Sequence, residues 1–133
     1  MTPAPARSRG ALLTVAFFAA SGALEVALVF ADTPSPAFDS MWEAVGRALL
    51  NALLAAGLLR GYALCRALAF VYSLAALVTY AVVLALALWG APVSFPPSLV
   101  VQSLFQVPTC ALLLPWLRSP AAAQAFPRPL LGR

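Results

Sequence analysis

Glu25 stands alone in Ser21-Gly22-Ala23-Leu24-Glu25-Val26-Ala27-Leu28-Val29-Phe30, a run that is otherwise apolar or small. A carboxylate in such a run can hold a proton, pair with a cation or help bind a ligand, and the polar residues that share its surroundings decide which. The chain has no His and no Lys, so every cationic side chain is an Arg. The polar residues of the long apolar runs recur at helical spacing: Thr14, Ser21 and Glu25; Arg47 and Asn51; Ser73, Ala76 and Tyr80; Gln102, Gln106 and Thr109 or Cys110. Such spacing puts each set on one face of a helix. An acid, a base, amides and a phenol support ion pairing or ligand binding better than covalent chemistry.

Catalysis has little to stand on. Zinc sites need Cys, His and carboxylates at coordinating intervals, and Cys65 and Cys110 form no C-x-x-C pair. No Gly-rich phosphate loop occurs, and no Ser has a general base in view. The expectation is therefore no enzyme activity, no cofactor and no metal. Cys65 and Cys110 read as packing residues, with a redox or acylation role as the alternative.

The elements that must hold these residues follow from composition. Of 133 residues, 63% are hydrophobic and only 9% charged, and the mean hydropathy is +0.94. Soluble domains carry about 25% charged residues. The chain reads as one integral membrane domain, all-α, with four transmembrane helices in an antiparallel up-down bundle. The spans fall at residues 11–31, 41–59, 62–89 and 96–117, with 118–133 as a tail. Each reaches the roughly 20 residues needed to cross a hydrocarbon core.

Punctuation agrees with these spans. Asp32-Thr33-Pro34-Ser35-Pro36-Ala37-Phe38-Asp39 is rich in turn formers and reads as a loop. Ser40-Met41-Trp42-Glu43 has the S-x-x-E spacing of a capping box, which starts the second helix near Met41. Gly61 suits the left-handed residue that closes the second helix. Gly90 to Phe95 make the next turn, with Pro96 and Pro97 at a helix start, where a missing N–H costs least. Pro108 removes a backbone bond to Leu104, either as tolerated packing or as a bend around the Gln102 and Gln106 stripe. Ser119 caps a short helix in the tail, after which Phe126 returns to the membrane interface.

Arginine placement sets the orientation. Arg7, Arg9, Arg60, Arg66, Arg118, Arg128 and Arg133 all fall on one side of a four-span arrangement, opposite Asp32, Asp39 and Glu43. Loops rich in Lys and Arg stay in the cytoplasm, so both termini are expected there. Composition rich in Ala, Leu and Arg without Lys or Ile associates the chain with bacteria, and the inner (cytoplasmic) membrane is the expected location. The competing reading takes residues 1–31 as a cleaved secretory signal ending at Val29-Phe30-Ala31. The formal charge of +4 suits anionic lipids at the cytoplasmic Arg residues, with no nucleic-acid partner.

With this topology, Glu25 lies about 9 Å below the outer boundary at 1.5 Å per residue. Arg47, Gln102 and Tyr80 count to a similar depth, Gln106 lies one turn deeper, and Asn51 follows Arg47 on its helix. Two readings of Arg47 stay open: it pairs with Glu25 across helices, or with Glu43 four residues earlier while its side chain reaches for the outer surface. Gln102 and Gln106 divide likewise between packing bonds and ligand contact. Ala44, Ala48, Ala52 and Ala56 form a four-spaced ridge for close helix approach, which Gly57 and Gly61 continue.

Gly61-Tyr62-Ala63-Leu64-Cys65-Arg66, with Leu113-Leu114 and the Ser119 to Phe126 tail, resembles a group of small uncharacterised bacterial four-helix inner-membrane proteins. These show a Gly-x-x-Trp-Ala-Arg stretch at helix 3 and a Ser with an aromatic-Phe pair at the end; here Leu64 and Cys65 replace the Trp and Ala, and Ala125 precedes Phe126. The resemblance covers roughly the second half and implies a topology without an activity. Ala23-Leu24-Glu25-Val26 is similar to the first helix of small multidrug resistance transporters, in which an embedded Glu exchanges protons for cationic drugs. Their helix 3 carries Tyr-Ala-x-Trp-x-Gly, of which Tyr80-Ala81 keeps the first two residues. The expected function is a small non-catalytic structural or accessory subunit, with a larger membrane-protein partner or a second copy of itself. The alternative is a proton-linked small-molecule transporter using Glu25.

Overall fold

The computed structural model describes residues 8–32, 38–90, 92 and 94–129. Arg7, Arg133 and the Thr33 to Ala37 part of the expected loop lie outside the described residues, as do Ala91 and Val93 of the later turn. Within the described residues the protein is helical: α1 (Arg9–Asp32), α2 (Phe38–Leu59), α3 (Ala63–Leu88), α4 (Pro97–Arg118) and a short α5 (Pro120–Ala125). The first four are each long and apolar enough to cross a membrane. Helices suit that setting because every interior backbone N–H and C=O is bonded within the segment.

Helix ends follow local chemistry. The C-terminus of α2 closes with Gly61 N donating to Leu58 O at 2.9 Å and Tyr62 N to Gly57 O at 3.1 Å. That pair of bonds is the Schellman motif, and Gly61 supplies its left-handed residue with φ +82°. Gly90, with φ +66°, reverses the chain after α3. At α5, Ser119 Oγ accepts from Ala122 N at 3.2 Å and Pro120 opens the helix. α4 runs on through both Pro108 and Pro115.

α2 begins at Phe38, ahead of the expected capping box, so Ser40 lies within the first helical turn and not at the cap. Glu43 Oε2 lies 3.7 Å from Arg47 Nη1, one turn further along the helix.

Packing is closest where side chains are smallest. Gly22 of α1 faces Ala48 and Asn51 of α2: a Cβ there would stand 3.2 Å from Ala48 O and 3.3 Å from Asn51 Cβ. Gly10 faces the Trp116 indole of α4, and Gly57 faces Cys65 of α3, each so closely that a Cβ would overlap its neighbour. Phe17 and Phe18 fill the space between, Phe17 stacked on Phe105 at 5.9 Å and Phe18 tilted on Tyr72 at 5.9 Å.

The expected alanine ridge is not one packing surface. Ala44 is buried, whereas Ala52 and Ala56 are exposed. Four residues turn a helix about 40° beyond one full turn, since 3.6 residues make a turn. Over Ala44 to Ala56 that drift carries the row away from α1.

Phe126 also departs from expectation: it is buried inside the protein, edge-on to Trp116 at 5.9 Å, and not left at a lipid interface. The tail behind it is tied to the α2–α3 turn by Arg128 N to Gly61 O at 2.9 Å and Ala63 N to Arg128 O at 2.8 Å. Both ends of Arg128's backbone are thereby satisfied, which fixes its position.

Candidate functional site

On α1 the stripe Thr14, Ser21 and Glu25 is buried along its length. Thr14 satisfies its hydroxyl locally, donating to Gly10 O at 2.7 Å, which leaves Glu25 as the residue that needs partners from elsewhere. It has them from three helices. Arg47 Nε of α2 donates to Glu25 Oε2 at 2.9 Å. Gln102 Nε2 of α4 and, at 3.3 Å, the Tyr80 hydroxyl of α3 both donate to Glu25 Oε1. An ionised carboxylate can only accept, and here every group directed at it is a donor.

The burial of the pair is unequal. The Glu25 side chain is 3% exposed and that of Arg47 45%. Glu43, 72% exposed, lies 3.7 Å from the far end of the Arg47 guanidinium. The two readings of Arg47 therefore coexist: one face meets the buried acid and the other reaches the surface acid. Taking a carboxylate out of water costs several kcal/mol unless it is paired and hydrogen-bonded, and both conditions are met here.

One turn deeper, Gln106 Nε2 donates to Ser21 Oγ at 3.3 Å and Cys110 Sγ meets Gln106 Oε1 at 3.6 Å. Gln106 thus joins α4 to α1 in a second polar contact, separate from that of Glu25. Asn51 stands apart again: its Nδ2 donates to Arg47 O at 3.0 Å and to the Tyr72 hydroxyl at 3.1 Å. The structure brings Glu25, Arg47, Tyr80 and Gln102 together, and sets Gln106 and Asn51 in adjoining contacts. Asn51 Oδ1 and Ser73 Oγ are buried without a partner among the described residues.

Tyr72 is the member that sequence reasoning missed. Ser73 and Ala76 of the expected stripe are buried, and Tyr72, the neighbouring position on α3, adds a hydroxyl that accepts from Asn51 Nδ2. Cys65 is half-buried against Gly57 and Cys110 is fully buried, and both are free thiols. Among the described residues, no group of three or more His, Cys, Asp or Glu lies close enough together to hold a metal.

No family model, no curated protein and no solved structure matches the chain. What defines its class is the combination just described, four apolar spans around a desolvated acid with donors from every other span. That combination points to a multi-pass helical membrane protein.

Proposed function

We propose that this chain is a non-catalytic structural or accessory subunit of a larger membrane complex, built as an antiparallel four-helix bundle with both termini in the cytoplasm. The bacterial inner membrane is the setting that composition and charge placement favour. The observation that carries the reading is the saturation of Glu25: both carboxylate oxygens are engaged, by groups from α2, α3 and α4. A carboxylate held this way acts as a cross-link that selects which helices meet and in which register. A carboxylate that exchanges a proton with passing substrate needs room for that substrate, and at Glu25 the guanidinium of Arg47 already fills the position a cation would take.

The antiparallel arrangement is supported by contacts at both ends of α1. Gly10 lies beside Trp116 near the end of α4, whereas Glu25 lies beside Gln102 near its start. Cytoplasmic termini follow from the seven arginines of that side.

The second reading, a proton-linked transporter using Glu25, draws on one observation. The half-exposed Arg47 sets the buried acid within one side chain of the surface that carries Glu43, the side from which a proton would be taken up. Crosslinking in native membranes followed by purification separates the two. An accessory subunit is recovered with one larger membrane protein in fixed ratio, and the purified chain alone in liposomes moves no protons. Recovery as the chain alone, together with substrate-driven proton movement that Glu25→Gln abolishes, would reverse the assignment.

A further inference from the structure

At the end of the bundle remote from Glu25 lies a cleft of about 440 Å³, between the start of α1, the end of α2 and the folded-back tail. Ligand sites run from roughly 300 to 1,000 Å³, so the cleft is of that order. Its walls are mostly apolar, with Val15, Leu59 and Ala125 among them, and the exposed Arg60, Gln124 and Arg128 also line it. Among the described residues no carboxylate lines it, and the ion pairs are those of Arg47 with Glu25 and with Glu43, so neither Arg60 nor Arg128 is matched by an acid.

The second arginine is brought there by the fold. Arg128 follows α5, and the two backbone bonds to Gly61 and Ala63, with the buried Phe126, hold it beside the turn that carries Arg60. Two cations set at one apolar cleft without an acid repel each other, and an anion between them removes that cost. Guanidinium groups bind phosphate oxygens in a bidentate manner, and an apolar wall below them suits an acyl chain and not a fully hydrated ion.

We infer that this cleft seats an anionic phospholipid, its phosphate between Arg60 and Arg128 and one acyl chain along Val15, Leu59 and Ala125. The inference rests on reading the Arg-rich end of the four spans as a membrane surface, and is independent of the role given to Glu25. A bound lipid would join α1, α2 and the tail, and so couple the stability of the folded tail to the charge of the surrounding leaflet.

The test uses the full chain in neutral detergent, offered equimolar phosphatidylglycerol and phosphatidylcholine and examined by native mass spectrometry. The wild type is expected to retain phosphatidylglycerol over phosphatidylcholine by on the order of ten-fold, two arginines acting together. The preference should vanish in Arg60→Gln/Arg128→Gln and persist in Arg66→Gln/Arg118→Gln, which removes the same charge from the groove between α3 and α4. Equal retention of both lipids by the wild type, or an unchanged preference in Arg60→Gln/Arg128→Gln, overturns the inference. Complete displacement of phosphatidylglycerol by millimolar inorganic phosphate overturns the lipid assignment in favour of a free anion. Should the double Gln variant lose its helical circular dichroism, Arg60→Lys/Arg128→Lys is compared with Arg128→Gln: the preference should survive in the former and fall in the latter, and the reverse order defeats the site.

Discussion

Arg47 Nε donates to Glu25 Oε2 at 2.9 Å although the two side chains differ widely in exposure, 45% for the base and 3% for the acid. This asymmetry makes the two halves of the pair unequal in consequence. Without Glu25, Arg47 still has Glu43 and solvent. Without Arg47, Glu25 stays buried with only the neutral donors Gln102 and Tyr80.

The other two donors to Glu25 should rank by geometry. Tyr80 reaches Oε1 at 3.3 Å, a long bond, so Tyr80→Phe should lower stability by about 0.5 kcal/mol or less. Gln102 makes the closer contact from a buried position, and Gln102→Leu should cost about 1–2 kcal/mol, because a hydrogen bond to a charged group is lost. Unfolding midpoints in one detergent give the order; a larger loss from Tyr80→Phe would mean that the phenol, and not the amide, holds the acid.

Close helix approach at α2 can be tested with two glycines on the same helix. A Cβ at Gly57 overlaps Cys65 Sγ, whereas at Gly46 it meets nothing within 4 Å. Gly57→Ala should destabilise by about 1–3 kcal/mol through overpacking. Gly46→Ala should be neutral or stabilising by up to about 1 kcal/mol, from helix propensity alone. Adding Cys65→Ala to Gly57→Ala removes the overlapping sulfur and should recover part of the loss, as thermal unfolding would reveal.

Topology has its own check. A reporter fused after Arg133 should read cytoplasmic, and one inserted near Ser35 should read external, since the proposed topology puts seven of the eight arginines on one side and Asp32, Asp39 and Glu43, with Arg47, on the other. Opposite readings at both positions would invert the protein in the membrane, and identical readings would remove a span.

The spans were legible because hydropathy over twenty residues is a strong signal that neighbouring structure cannot easily override. Glu25, Arg47, Tyr80 and Gln102 could be matched from sequence by counting residues inward from each helix end, which works when all helices cross the same thickness. Neighbouring positions on a helix resist that method. Tyr72 and Ser73 are 100° apart, and sequence spacing alone could not say which turns toward Asn51. The drift of the alanine row shows the same limit, since a spacing of four looks like one face over two turns and is not one over four. The burial of Phe126 depended on Gly61 and Ala63 capturing the backbone of Arg128, a long-range bond that leaves no trace in the local pattern.

The most direct test of a structural role for the polar layer is the unfolding free energy in detergent of four proteins: wild type, Glu25→Gln, Arg47→Gln and Glu25→Gln/Arg47→Gln. Arg47→Gln should be the more damaging single change, by roughly 1–3 kcal/mol, because it strands a buried carboxylate. The double variant should be more stable than Arg47→Gln, with a coupling of about 1 kcal/mol between the two positions. Losses that simply add, or a Glu25→Gln protein more stable than the wild type, would contradict the account, and would mean that the acid is kept for something other than holding the helices together.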